Sequence, residues 1–187
     1  MRLVTFCGSI RSGSYNRLLL AQAIEVLRPQ AELDHAELRD VPLPIYDGDL
    51  EASTGVPEPA RRLADRIAAA DGLVIASPEY NNSIPGTFKN TIDWTSRPSS
   101  DTARVYGGKP VGVIGATPGA GGTGLAQAAW LPVLRTLGTI PFFGARLQVA
   151  HASKVFDASG ALNDEAVRGQ IERYLTAFSA FVARLAG

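Results

Sequence analysis

A short polar segment, residues 8–16, contains the side chains best suited to binding an anion. Arg11 supplies a planar guanidinium that can donate two parallel hydrogen bonds to phosphate oxygens. A helix is expected to begin after Ser14, its N-cap, and the free N–H groups at a helix start attract negative charge. The uncharged hydrogen-bonding side chains of this first loop are Ser9, Ser12, Ser14 and Asn16. The first loop therefore predicts an anion site; the alternative is an ordinary polar turn closed by a helix cap.

Two common nucleotide-binding motifs do not match the first loop. Gly8 and Gly13, which we expect to permit tight backbone turns, have the glycine spacing of a Walker A loop. However, Ser14-Tyr15 stands where that loop requires Lys followed by Ser or Thr, so its phosphate-binding lysine is missing. Ile10 occupies the position of the second glycine in the dinucleotide-binding fingerprint. Neither motif is therefore predicted here.

A second polar segment, residues 77–84, is the central loop. It follows the buried-strand pattern of residues 72–76 and precedes a helical pattern that opens at Pro85. Pro78 fixes the exit from the strand. The next four residues, which suit a flat heterocycle with polar edges, are Glu79, Tyr80, Asn81 and Asn82. The alternative is a solvated turn in which Tyr80 is a packing residue.

A third segment, residues 115–124, is the glycine-rich loop. From Thr117 through Gly119 to Gly124 it has almost no side chains, so a ligand could approach its backbone closely. The alternative is a flexible surface loop. Each of the three loops lies between a predicted strand and a predicted helix, which is where open α/β sheets bind small ligands.

The elements that would position these loops alternate along the chain. The predicted strands are residues 3–7, 32–38, 72–76, 110–115 and 140–150, with an interruption near Gly144 in the last. The predicted helices run from Ser14 to Pro29, from about Pro59 through Ala70, from Pro85 to Trp94, over about 125–137, and over 164–185. Pro132 predicts a kink or a late start in the fourth helix. Residues 40–57 are predicted to form a long loop, and residues 96–101 a polar connection.

This alternation predicts one α/β domain over residues 1–187, with a parallel sheet covered by helices on both faces. In such a sheet the three loops emerge at one edge. If the first, third and fourth strands are neighbours, the loops surround a single crevice, which makes three unrelated polar turns a weaker interpretation.

Composition excludes several classes of function. The 18 basic and 18 acidic side chains balance, which gives no overall attraction to nucleic acid or to anionic membranes. No apolar run reaches the length of a membrane span, and no export signal is apparent. A single cysteine, Cys7, excludes an internal disulfide. We therefore expect a cytoplasmic protein with neither nucleic acid nor membrane as partner.

Other reactive side chains do not form a convincing site. His35 and His151 lack metal-ligand spacing, and Cys7 is expected to be an inert core residue. Asp47-Gly48-Asp49 resembles the start of a calcium loop but lacks the required downstream glutamate. We predict no metal site and nominate no acid–base catalytic residue.

Two stretches of the sequence strongly resemble the NADPH-dependent FMN reductase family, which includes bacterial quinone and chromate reductases and related azoreductases. One is Gly8-Ser-Ile-Arg-Ser-Gly-Ser-Tyr-Asn-Arg17; the more specific one is Ser77-Pro-Glu-Tyr-Asn-Asn-Ser-Ile-Pro-Gly-Thr-Phe-Lys-Asn-Thr-Ile-Asp-Trp94. The likeness covers nearly the whole chain in element order. Pro132 and the many glycines after Thr117 depart from the family pattern.

The resemblance implies a flavodoxin-like three-layer sandwich, with a five-stranded parallel sheet of order 2-1-3-4-5. It further implies that FMN binds at the switch point, with its phosphate held by Ser9, Arg11, Ser14 and Asn16. Pro78, Glu79, Tyr80 and Asn81 would line the isoalloxazine, and the loop from Thr117 through Gly119 would cover its other edge. The family forms homodimers or homotetramers, which makes Asn90, Asp93, Trp94 and Arg97 interface candidates; the alternative is an ordinary helix with a solvated face.

The activity that the resemblance implies is NAD(P)H oxidation by a ping-pong scheme. Hydride would pass through flavin N5 to a quinone, chromate, azo compound or similar small-molecule acceptor. A non-enzymatic electron carrier of the flavodoxin type is the alternative, although such carriers tend to be acidic and this chain is balanced. A flavin-free regulatory module on the same fold is the third possibility.

Overall fold

The computed structural model describes residues 1–186; Gly187, the last residue of the predicted domain, lies outside the described residues. The strands are β1 (Arg2–Cys7), β2 (Glu32–Glu37), β3 (Gly72–Ala76), β4 (Pro110–Ala116), β5 (Ile140–Pro141) and β6 (Gln148–Val149). The α-helices are α1 (Tyr15–Leu27), α2 (Gly48–Thr54), α3 (Glu58–Ala68), α4 (Gly86–Thr95), α5 (Thr102–Tyr106), α6 (Gly124–Thr136), α7 (Ala152–Val155) and α8 (Glu165–Ala186). Two 3₁₀ turns cover Leu38–Asp40 and Ser99–Asp101.

All strand pairs are parallel, and the order β2-β1-β3-β4-β5 confirms the predicted flavodoxin-like topology. The fifth strand is in two pieces, as expected. Strand β5 pairs with the start of β4 at Pro110, and β6 pairs with its end at Ala116. Phe142, directly after β5, donates from its N–H to Val111 O of β4 (2.8 Å), and its ring packs against those of Tyr174, Phe178 and Phe181.

A separate hydrophobic core covers each face of the sheet. Helices α1 and α8 close one core, where Leu19 and Phe178 are fully buried. Helices α3, α4, α5 and α6 close the other, around Phe88 and Trp130. Strand β3 is buried along its whole length because both faces are covered, which explains its continuous apolar run. Among residues 1–186, no helix combines the length and apolar character needed to cross a membrane.

Four local expectations need correction. Residues 40–57 are not one loop, because Asp47 accepts a hydrogen bond from Asp49 N (2.9 Å) and caps α2. Helix α2 buries none of its residues, so it has no apolar periodicity to predict it. Helices α5 and α7 were missed because four or five residues are too few to show a period. The late start for α6 was wrong, since the helix begins at Gly124 and continues through the exposed Pro132.

Candidate active site

The ends of the three central strands bring the three loops together. Cys7 of β1 is in register with Ala76 of β3, which is in register with Ile114 of β4. Hydrogen bonds continue past the strand ends, from Gly8 N to Ala76 O (2.9 Å) and from Ser77 N to Ile114 O (2.9 Å). The first, central and glycine-rich loops therefore start side by side, as the sequence predicted.

The first loop presents hydrogen-bond donors at the start of α1. Ser14 is the N-cap, and its Oγ accepts from Asn16 N (3.2 Å), which confirms the predicted cap. The backbone N–H groups of Gly13 and Tyr15 have no acceptor within residues 1–186. Arg11 is exposed and forms no ion pair with any carboxylate of the same residues. The buried Ser9 Oγ accepts from Arg11 N (3.3 Å), which leaves its own hydrogen free to donate. This donor set suits an anion of phosphate size.

Gly13 lies in a turn, as expected, whereas Gly8 serves a different purpose. Neither Gly8 nor Gly13 has a positive φ, so a left-handed backbone conformation does not explain them. A Cβ on Gly8 would overlap Cδ1 of Phe88 and lie 2.8 Å from its Cε1. Phe88 is fully buried, with its ring edge-to-face on Phe6 (4.8 Å) and Trp130 (4.9 Å). Gly8 therefore lets the first loop lie directly against the aromatic core.

We expect Gly8→Ala to lower the free energy of unfolding by about 1–3 kcal/mol, because the added methyl overpacks Phe88. Urea denaturation of the protein without added ligand measures this loss. Gly86→Ala is the matched control, because a Cβ there meets no atom within 4 Å and Gly86 is helical. Equal stability of the two variants would contradict the packing role of Gly8.

Asn16 joins the first loop to the end of β4. Its side-chain Nδ2 donates to Ala116 O (2.8 Å), and its Oδ1 accepts from Ala116 N (2.9 Å). Asn16 and Ala116 are both buried. Both the nitrogen and the oxygen of the Asn16 amide are thus hydrogen-bonded to the backbone of Ala116. The resemblance had implied that Asn16 binds the phosphate.

Sequence reasoning missed Arg39, which holds the first loop from outside. Its Nε donates to Ile10 O (2.7 Å). No motif indicated this contact, because Arg39 follows β2 and reaches the first loop only through the pairing of β1 with β2. Ile10 is half exposed, and the hydrogen bond from Arg39 holds its carbonyl in place.

The central loop contains a tight hairpin turn. Tyr80 and Ser83 exchange two backbone hydrogen bonds (3.0 and 3.1 Å), and Asn81 and Asn82 between them have φ of 50° and 61°. Two consecutive positive φ values define a type I′ turn, which asparagine tolerates better than most residues. Tyr80 is 49% exposed, so its ring is available for contact with a ligand, while Pro78 is buried.

The central loop is also bonded to helix α6. Oε2 of Glu79 accepts from Leu125 N (2.9 Å) and from Ala126 N (3.0 Å). Behind it, the buried Trp130 donates from Nε1 to Ser77 Oγ (2.8 Å). The sequence-predicted Glu79 thus has one carboxylate oxygen, Oε2, occupied by the start of α6. Trp130 is a core residue.

The glycine-rich loop is bonded to the following segment in its first half and leaves space beside Gly119 and Gly121. Thr117 O accepts from Ala152 N (2.9 Å), and Gly119 O accepts from His151 N (2.9 Å). A Cβ on Gly119 or Gly121 would have no atom closer than 3.8 Å, so these positions leave space in front of the backbone. Gly122, with φ of 58°, does need glycine, because a Cβ there would lie 2.9 Å from Gln148 O.

The remaining reactive side chains are those of His35, Cys7 and His151. His35 on β2 is hydrogen-bonded through Nδ1 to Thr5 Oγ1 (3.0 Å) and through Nε2 to Glu37 (3.0 Å). Burial, followed by the charge of Arg17, lowers the pKa of His35. Cys7 is buried in β1, and desolvation raises the pKa of its thiol, so it remains protonated at neutral pH. His151 occupies the N-cap position of the short helix α7, and its side chain makes no capping hydrogen bond.

The four interface candidates mostly make contacts within the chain. Asn90 accepts from Tyr46 N (2.8 Å), and Trp94 donates to Pro44 O (2.8 Å). Arg97 lies over the ring of Tyr46, 5.1 Å from its centroid, and Asp93 pairs with Lys89. Because Trp94 has no exposed surface, its assignment to an interface is wrong.

The chain is similar to flavin-dependent reductases over its full length. The model of the NADPH-dependent FMN reductase family matches residues 1–154. An NAD(P)H-dependent FMN reductase of Pseudomonas aeruginosa is 37% identical over 187 residues, which cover 100% of this chain and 98% of that protein. A quinone reductase of Escherichia coli K12 is 33% identical over 191 residues, covering 99% and 97% of the two chains.

A solved structure of a flavoenzyme is also similar to this chain in fold and in sequence. The flavoenzyme NAD(P)H:(acceptor) oxidoreductase FerB from Paracoccus denitrificans superimposes with a TM-score of 0.85 at 32% identity, covering 98% of this chain and 97% of FerB. The matched family model supports the same family that the sequence resemblance indicated. The observed strand order and the position of the three loops are those that this resemblance implied. The chain belongs to the NADPH-dependent FMN reductase family.

Proposed function

We propose that the chain is an FMN-dependent NAD(P)H oxidoreductase that reduces quinones. The observation on which this depends is the start of the three loops side by side at one edge of the sheet, where the first loop offers the unpaired Arg11 near the start of α1. Family membership and the quinone reductase named among its relatives support the same conclusion.

The described residues fit FMN. The hydroxyls of Ser9 and Ser14, the Arg11 guanidinium and the free N–H groups of Gly13 and Tyr15 would hold its phosphate. Pro78, Tyr80 and Asn81 would line the ring, and the open backbone from Thr117 to Gly119 would cover its other edge. We assign Asn16 and Glu79 to holding these loops in place rather than to direct contact with FMN.

Bound FMN would supply the hydride chemistry at its N5 atom, which no side chain of this chain can provide. The protein's part is to hold the phosphate, orient the ring and leave one ring face accessible. The half-exposed Tyr80 of the central loop is suited to flank a planar donor or acceptor. We propose that NAD(P)H and the acceptor use this one site in turn, which is a ping-pong scheme.

Steady-state kinetics test this function. Purified protein titrated with FMN should bind it, and NADH or NADPH oxidation should then depend on added 1,4-benzoquinone. Parallel lines in double-reciprocal plots would support the ping-pong scheme, and chromate and an azo dye test the broader acceptor range. Slow turnover that requires a separate reductase would favour the flavodoxin-type carrier, and a protein that refuses FMN would contradict both.

A homodimer or homotetramer is also part of the proposal, as is a cytoplasmic location, where NAD(P)H is available. Light scattering in solution should give two or four times the chain mass of 19.8 kDa. A mass equal to one chain would contradict the assembly.

A further inference from the structure

Helix α6 begins without a cap of its own. Thr123 occupies the N-cap position in a left-handed conformation (φ 66°, ψ 23°) and makes no side-chain capping bond. Its Oγ1 instead lies within 3.3 Å of Gln127 Nε2, so it accepts from the following turn. An α-helix start leaves up to four N–H groups without partners, and these need an acceptor from elsewhere.

Glu79 provides that acceptor from a different loop. Its Oε2 accepts from both Leu125 N and Ala126 N, 46 and 47 residues away in the chain. A carboxylate at a helix start also interacts favourably with the helix dipole. Within residues 1–186, these are the hydrogen bonds that join the central loop to the first turn of α6.

The bonds of Glu79 lie directly after the second half of the glycine-rich loop and join the start of α6 to the central loop. Thr117 and Gly119, in the first half, are bonded to α7 and its N-cap. The second half has the local bond from Gly124 N to Gly121 O (3.0 Å) and the packing of the buried Thr123 under Gly115. Gly121 itself is exposed, and a Cβ there would lie 4.0 Å from Oε1 of Glu79.

We propose that Glu79 is a positioning residue: by capping α6 it holds the glycine-rich loop in the shape that receives the flavin ring. This inference rests on the proposed function only for the identity of the ligand. The capping itself is a property of the protein before any ligand binds. It therefore reduces the conformational entropy that the loop would otherwise lose when the ligand binds.

The experiment compares Glu79→Ala and Glu79→Gln with the unsubstituted chain. Glu172→Ala is the matched control, because Glu172 is exposed on α8 and has no ion pair among residues 1–186. Amide hydrogen exchange at Leu125 and Ala126, measured without FMN, should be on the order of tenfold faster in Glu79→Ala. Glu79→Gln keeps an acceptor oxygen and should recover part of the protection, while Glu172→Ala should change nothing.

The second measurement is FMN binding, followed by the visible circular dichroism of the bound flavin. Glu79→Ala should bind FMN on the order of tenfold more weakly, with an altered flavin spectrum, because the loop is no longer ordered in advance. Unchanged amide exchange would overturn the capping role. Faster exchange with unchanged FMN affinity and spectrum would overturn the positioning role. Failure of the unsubstituted chain to bind FMN would instead overturn the proposed function, and with it the assignment of the ligand.

Discussion

Replacing Asn16 by alanine is expected to lower the free energy of unfolding by roughly 2–5 kcal/mol, because it leaves two buried backbone groups without partners. The groups are the N–H and C=O of Ala116, which now pair with the Asn16 amide at 2.9 and 2.8 Å. Each buried polar group left unpaired costs its desolvation, and Ala116 is only 3% exposed. Urea denaturation of the protein without FMN measures the loss.

This result separates two roles for Asn16. Gln170→Ala is the matched control, since it removes an exposed amide from α8 and should leave stability nearly unchanged. If Asn16 were only a phosphate ligand, its loss would weaken FMN binding and leave the ligand-free protein as stable as before. That outcome would contradict the clamp between the first loop and β4.

Arg11→Ala should weaken FMN binding by about 1.5–3 kcal/mol, a change of about tenfold to 150-fold in Kd, because a charged hydrogen bond to phosphate is lost. Arg11 forms no ion pair within residues 1–186, so no carboxylate competes with the phosphate for its guanidinium. Flavin fluorescence or calorimetry gives the affinity. Arg11→Lys keeps the charge but not the planar fork and should bind with intermediate affinity.

Riboflavin, which lacks the phosphate, makes this prediction specific. Its affinity should be the same for Arg11→Ala and for the unsubstituted chain. The exposed Arg173 on α8 supplies the control, and Arg173→Ala should bind FMN normally. An equal weakening of riboflavin and FMN would show that Arg11 shapes the loop rather than binding the phosphate.

The sequence by itself determined the order of the elements and the loops that carry chemistry. Gly72–Ala76 is apolar throughout because helices cover both faces of β3, and such a run needs no knowledge of its neighbours to be recognised. The four-three spacing that predicted a helix over 164–185 has the same local origin, and α8 spans Glu165–Ala186. Ser14 was likewise predictable as a cap, because its partner, Asn16 N, is two residues away.

Only the tertiary structure decided what several of the nominated residues do. Asn16 and Ala116 are 100 residues apart, and Glu79 is 46 residues from Leu125, so neither contact leaves a trace in local spacing. The same holds for Gly8, whose missing side chain matters because Phe88 of α4 lies against it. Polar side chains in a loop look alike in sequence whether they bind a ligand or another loop. Their partners are set by the order of strands in the sheet, and the folded chain alone brings those partners within hydrogen-bonding distance.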